Sequence, residues 1–143
     1  MGKIVEHRHW PDAPDIWMPY APVIKITGGS LVFLAGVTAA PVYHCHPHQP
    51  EEFDAMPRDM EGQARAALEN LKKSLEAVDG DFGDVVSANR FVTDLADQDS
   101  LNKVWAEYFG DNKPTTTTVQ VVQLATDSRC LIEVTALAVV DSE

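Results

Sequence analysis

The chain has 143 residues, 45% of them hydrophobic, enough for one compact domain (1–143) around a single core. Its 22 acidic and 11 basic side chains give a formal charge of −11, which repels phosphate backbones and argues against a nucleic-acid partner held by a basic stripe. No run of about 18 apolar residues occurs, and Met1-Gly2-Lys3-Ile4-Val5-Glu6 lacks the plan of a secretory leader, so a soluble cytoplasmic protein with no membrane partner is expected.

Lys3 to His7 reads as a short edge strand, and residues 1–22 as an N-terminal arm, because the four prolines between Trp10 and Pro22 break any regular element. The arm carries Tyr20. Val23 to Ile26 and Leu31 to Ala35, joined by Thr27-Gly28-Gly29-Ser30, predict a β-hairpin. Residues 36–56 are rich in proline and histidine without a period, which predicts a long variable loop. Pro57 suits a first helical turn, and Met60, Ala64, Ala67, Leu68, Leu71, Leu75 and Val78 recur at helical spacing, so a helix is predicted to end near Asp79-Gly80. Asp84 to Thr93 reads as a strand. Asp97 or Asp99 caps a second helix carrying Leu101, Val104, Trp105 and Tyr108, which Gly110 stops. Thr117 to Leu124 and Leu131 to Val140 complete the set as strands.

Two amphipathic helices can cover one face of such a sheet, yet the last strand is apolar on both faces. The uncovered face therefore calls for a partner. Cys45 and Cys130 lie in dissimilar settings, one in a polar loop and one entering an apolar strand, so no disulfide framework is expected.

Three segments carry a family likeness: Gln63-Ala64-Arg65-Ala66-Ala67-Leu68-Glu69-Asn70-Leu71, the run from Asn102 to Phe109 with Lys113-Pro114 and Val119 to Leu124, and the closing Ile132-Glu133-Val134-Thr135-Ala136-Leu137-Ala138-Val139. The chain resembles the RidA/YjgF (Rid) family of enamine and imine deaminases from about Tyr20 to Val140. That resemblance implies an α+β fold, a chorismate-mutase-like mixed sheet with two helices on one face. It implies homotrimers, or dimers of trimers, built around a central barrel with ligand clefts between subunits. It also implies a small-molecule substrate, ammonia as product and no cofactor.

The resemblance sets the candidate site residue by residue. Tyr20 falls where the family has its pocket tyrosine, Ala35 where it has a serine, and Asn102 where it commonly has an asparagine. Thr116 stands in place of the arginine that clamps a substrate carboxylate, Thr118 where many relatives carry cysteine, and Thr135 where the catalytic glutamate is expected. Glu133, two residues earlier on the strand, shares a face with Thr135 and is the alternative water-positioning carboxylate. Glu133, Thr118 and Thr135 are thus the catalytic candidates, with Tyr20, Ala35, Asn102, Thr116 and Arg90 as substrate contacts.

Exchanging arginine for Thr116 replaces two charge-assisted hydrogen bonds with one neutral donor, each such bond being worth about 1.5–3 kcal/mol. A substrate other than a simple 2-imino acid is therefore expected, or else a non-catalytic ligand-binding protein. Arg90 and Arg129 are the alternative clamps, although both read first as surface residues. His44-Cys45-His46-Pro47-His48 holds ligand types for zinc, nickel or copper, but its alternating spacing matches no familiar closed site, so a solvated loop without metal is the expectation. His44 or His46 becomes an acid–base candidate if that loop folds over the pocket.

Overall fold

The computed structural model describes residues 2–143. Strands β3 (Ser30–Val37), β6 (Ile132–Val140), β4 (Val85–Val92) and β5 (Thr115–Gln120) form one four-stranded sheet in that spatial order. The β3–β6 and β6–β4 pairs are antiparallel and β4–β5 is parallel. A parallel neighbour needs a crossover, and α2 (Gln98–Phe109) supplies it. With α1 (Met60–Glu76), it covers one face of the sheet.

The helical period of the sequence becomes the core. Leu68, Leu71 and Leu75 of α1 and Leu101 and Val104 of α2 meet Val92, Ile132 and Val134 of the sheet, all fully buried. Pro57 lies outside α1; Asp59 caps the helix instead, accepting from the Gly62 amide at 3.2 Å. The chain leaves α1 through Asp79, at φ 56°, with the Gly80 amide returning to the Leu75 carbonyl at 2.9 Å. Gly110, also at φ 56°, ends α2 as the sequence predicts.

Gln63 sits on the apolar stripe of α1 yet is fully buried. Its amide nitrogen donates to the carbonyls of Pro57 and Arg129, and its oxygen accepts from the Leu131 amide at 2.7 Å. One polar side chain thereby fastens the helix to the lead-in of β6.

The expected hairpin is corrected. β2 (Val23–Thr27) pairs with β1 (Ile4–Arg8) in a separate two-stranded sheet, while β3 pairs with β6. Gly28 and Gly29, at φ 73° and 82°, press the turn against β6, where a Cβ on Gly29 would meet Val139 Cγ1 at 2.6 Å. Lys3, just before β1, bonds through its ammonium to Asp84 and to the Val139 carbonyl, so β1 lies where β2 can take it as partner. β5 also stops earlier than expected. After the rung from the Val121 amide to the Val92 carbonyl (2.8 Å), the chain turns away, and Leu124 packs with Ala40, Phe53, Met56 and Cys130 in a second cluster. Both cysteines are free thiols.

Register partners share a face, so Leu31 with Val139 and Phe33 with Leu137 lie opposite the helices. Leu31 is 58% and Phe33 77% exposed, the apolar face the sequence left uncovered.

Candidate functional site

β5 is an edge strand whose side chains alternate between the two faces of the sheet. Thr116 and Thr118 are the register partners of Ala88 and Arg90, which places both hydroxyls on the helix side. There α2, the start of β5 and the N-terminal arm enclose a cavity of about 480 Å³. Its walls include Tyr20, Arg90, Asn102, Thr116 and Thr118, five of the eight residues that the sequence nominates.

Arg90 forms the floor. It is 7% exposed, which corrects its reading as a surface residue. Nε donates to Thr118 Oγ1 at 2.9 Å, Nη1 donates to Asn102 Oδ1 at 2.8 Å, and the guanidinium carbon lies 5.0 Å from the centre of the Trp105 ring. No carboxylate pairs with it among the described residues. Desolvation alone pulls its pKa down to about 10, so it stays charged at neutral pH. Among the described residues Nη2 makes no hydrogen bond and no buried side-chain polar atom lacks a partner, so Nη2 is open to solvent in a residue that lines the cavity.

Asn102 and Trp105 stand three residues apart on one face of α2, and Trp105 stacks on Phe109 with centroids 4.3 Å apart. The helical spacing of Trp105 marks it as core or interface; its three-residue separation from Asn102 is the signal that could have placed it at the site. On the far wall, Trp17 of the arm lies under the Lys113 ammonium, 4.9 Å from the ring centre. The mouth thus carries a second cation beside the half-exposed Tyr20. Thr116 does not substitute for an arginine; its hydroxyl donates to the Pro114 carbonyl at 3.0 Å.

The remaining nominees lie elsewhere. Glu133 and Thr135 are register partners of Phe91 and Asn89, hence on the sheet face away from the helices. Thr135 Oγ1 accepts from Asn89 Nδ2 at 3.2 Å, and the Glu133 carboxylate lies against the backbone of Gly36. Ala35 and Gly36 form a bulge opposite Thr135, one residue more than β6 supplies between Ala136 and Val134. Ala35 lines a different cavity of about 550 Å³ between β3 and α1, where Lys73 is the one charged group. That cavity is larger and carries Tyr43, Asn70, Lys73 and Ser74, but Ala35 is the one nominated residue in its lining. Arg129 is committed elsewhere, bonded to Asp127, Asp54 and the Pro50 carbonyl. None of His44, His46 and His48 reaches the Arg90 cavity, so the loop does not supply it with an acid or base.

Residues 11–140 match the sequence model of the family described as Endoribonuclease L-PSP. A RutC family protein of Pyrococcus horikoshii is 35% identical over 127 residues, 89% of this chain and 91% of its own length. The chloroplastic Reactive Intermediate Deaminase A of Arabidopsis thaliana is 32% identical over 121 residues, 85% of this chain and 59% of the plant protein. Among solved structures, a Mycobacterium tuberculosis member of the YjgF/YER057c/UK114 family superposes with TM-score 0.63 at 28% identity, covering 80% of this chain and 83% of its own. RidA of an Antarctic Psychrobacter gives 0.64 at 25%, covering 94% and 99%.

Proposed function

We propose, from the premise that this chain belongs to the YjgF/RidA family, that it hydrolyses a small reactive enamine or imine carrying an anionic group and releases ammonia. The carrying observation is Arg90, a buried guanidinium without a carboxylate partner, open through Nη2 to a cavity that also holds the Tyr20, Thr116 and Thr118 hydroxyls. A carboxylate reaching Arg90 would gain a charge-assisted bond in a site of low dielectric. The clamp lost at Thr116 is then recovered from the next strand, which reverses the expectation of a carboxylate-poor substrate. Lys113 supports the same sign of charge at the mouth.

The chemistry asks little of the protein. A protonated imine is already electrophilic; water adds to its carbon, the tetrahedral adduct passes a proton to nitrogen, and ammonia leaves as the carbonyl forms. Arg90 holds the anionic end while the Tyr20 and Thr116 hydroxyls line the path of the polar intermediate. The water-positioning carboxylate in this reading is Glu133 of a neighbouring copy. Three observations support that arrangement: Glu133 lies on the uncovered face, the apolar side chains around it need cover, and the Thr116–Thr118 cavity borders the free edge of the sheet. A homotrimer with clefts between subunits would join the two half-sites. A ribonuclease reading has little support, since the formal charge is −11 and Arg90 and Lys113 are the cavity's only basic lining residues.

The test is ammonia release from freshly generated imines and enamines, with and without a carboxylate, by the native chain, Arg90→Gln and Thr116→Arg. Turnover of carboxylate-bearing substrates whose KM Arg90→Gln raises, with neutral substrates unaffected, supports the proposal. Ligand that binds and returns unchanged across the panel replaces it with a non-catalytic binding protein.

A further inference from the structure

The loop between β3 and α1 carries a cluster that the deaminase reading does not use. The imidazoles of His44, His46 and His48 converge, with one ring nitrogen from each lying within 4.8 Å of the other two. We propose that these three histidines form a site for a borderline divalent transition ion, with zinc as the reference ion and nickel and copper(II) as alternatives of the same chemistry.

The arrangement of the rings supports this. Three imidazole nitrogens held about 2 Å from one tetrahedral ion place their ring centres about 5 Å apart. The observed centroid separations are 4.7 Å (His44–His46), 5.0 Å (His44–His48) and 5.2 Å (His46–His48). The nitrogens themselves need to draw in to about 3.3 Å for that geometry, a movement that rotation of the exposed His46 and His48 rings supplies.

Hydrogen bonding then fixes which atom of His44 is offered. His44 Nδ1 lies 2.7 Å from the Pro41 carbonyl oxygen. A carbonyl can only accept, so Nδ1 carries the proton and Nε2 presents its lone pair. Metal-binding histidines are commonly held this way, with the second nitrogen donating to a backbone carbonyl.

Two more anchors hold the cluster in place. The Glu52 carboxylate accepts from the Cys45 amide, between His44 and His46, at 3.2 Å and 3.3 Å. Phe53, 1% exposed in the second core cluster, forms the floor; the His44 and His48 rings pack on it edge-to-face, with centroids 5.2 Å and 5.7 Å away. An ion here would tie the residues from Pro41 to Phe53 to that cluster. Three neutral nitrogen ligands suit zinc, nickel or copper and disfavour calcium and magnesium, which take oxygen donors. Water would complete the coordination of a tetrahedral ion held by three imidazoles.

The experiment uses the full, untagged chain after stripping with a chelator, titrated with zinc chloride by calorimetry and with cobalt(II) by visible absorption. One saturable ion per chain is expected, with the visible band of tetrahedral cobalt. His44→Ala, His46→Ala and His48→Ala should each weaken binding about tenfold or more. His7→Ala and His9→Ala, which change the chain's other two histidines, should leave binding unchanged. His46 and His48 are exposed, so their variants should keep the native circular dichroism and melting temperature in the absence of metal. Absence of saturable binding, or binding that survives replacement of all three residues, overturns the site. The outcome is independent of ammonia release, since none of the three lines the Arg90 cavity.

Discussion

Arg90 on β4 donates through Nε to the hydroxyl of Thr118, its register partner on β5, across 2.9 Å. Thr118 thereby holds the guanidinium against the sheet while Asn102 holds it from α2. Three contacts with no negative charge among them cannot match the solvation that water would give. The drop from the ordinary guanidinium range to about 10 corresponds to roughly 3 kcal/mol of penalty on the charged form. A base whose folded pKa lies below its unfolded value destabilises the fold throughout the neutral range. That penalty fades only as the pH climbs through about 10 toward the ordinary guanidinium value.

Arg90→Met should accordingly separate stability from function. Unfolding free energy in urea is expected to rise by about 1–3 kcal/mol, since an unpaired buried cation gives way to an apolar chain of similar length. KM for an anionic substrate is expected to rise about tenfold to a hundredfold, the loss of one charge-assisted bond, while neutral substrates keep theirs. A variant that loses stability and turns over both substrate classes unchanged would assign Arg90 to structure alone.

The two helices and the strands β4 and β6 are legible in the sequence because burial on one side imposes a period, and the period locates Leu71, Leu101 and Val134 without any tertiary information. The pairing of β2 is not legible. Alternation tells which face a strand shows but not which strand it adjoins, and the Gly28-Gly29 turn suits a hairpin until its approach to Val139 is known. Arg90 was named for the site yet read as exposed, since neither Asn102 nor Trp105 announces from the sequence that it will face β4. Gln63 is a sharper case. Its position on an apolar stripe marks burial, but its three partners are backbone groups that no side-chain pattern encodes.

Gly36 tests Glu133. A Cβ at this position would overlap the Glu133 carboxylate, while the backbone there needs no left-handed conformation. Gly36→Ala should therefore act by displacing the Glu133 carboxylate, the far end of a flexible side chain, rather than by backbone strain, with little effect on stability. If Glu133 positions water, Gly36→Ala and Glu133→Gln both lower kcat while KM holds, as single-turnover kinetics would report. Unchanged kcat in Glu133→Gln would remove it from the reaction.

Asp127 sets an acid limit. Hydrogen bonds from the Arg129 side chain, foremost, keep its carboxyl below its ordinary 3.8, and Arg129 continues to Asp54 and the Pro50 carbonyl. The carboxylate therefore stabilises the fold above the unfolded pKa, and that stabilisation is lost as pH falls through the lower, folded one. Urea midpoints measured from about pH 5 to pH 2 should fall less steeply in Asp127→Asn than in the native chain. Equal slopes would place the acid sensitivity in other carboxylates.

Phe33 tests the assembly on which the shared cleft depends. With 77% of its surface open beside Leu31, it is where an apolar sheet face would meet another copy, and burying such a ring contributes about 1.5–3 kcal/mol per subunit. Phe33→Asp places a charge there without touching the helix-side core or the Arg90 cavity. Sedimentation should show a native trimer that this variant breaks into folded monomers. Ammonia release should fall with it, since each Arg90 cavity would lose the Glu133 of its neighbour. A native monomer that is fully active would instead require a water-positioning group on the helix side, where the Tyr20, Thr116 and Thr118 hydroxyls are the candidates.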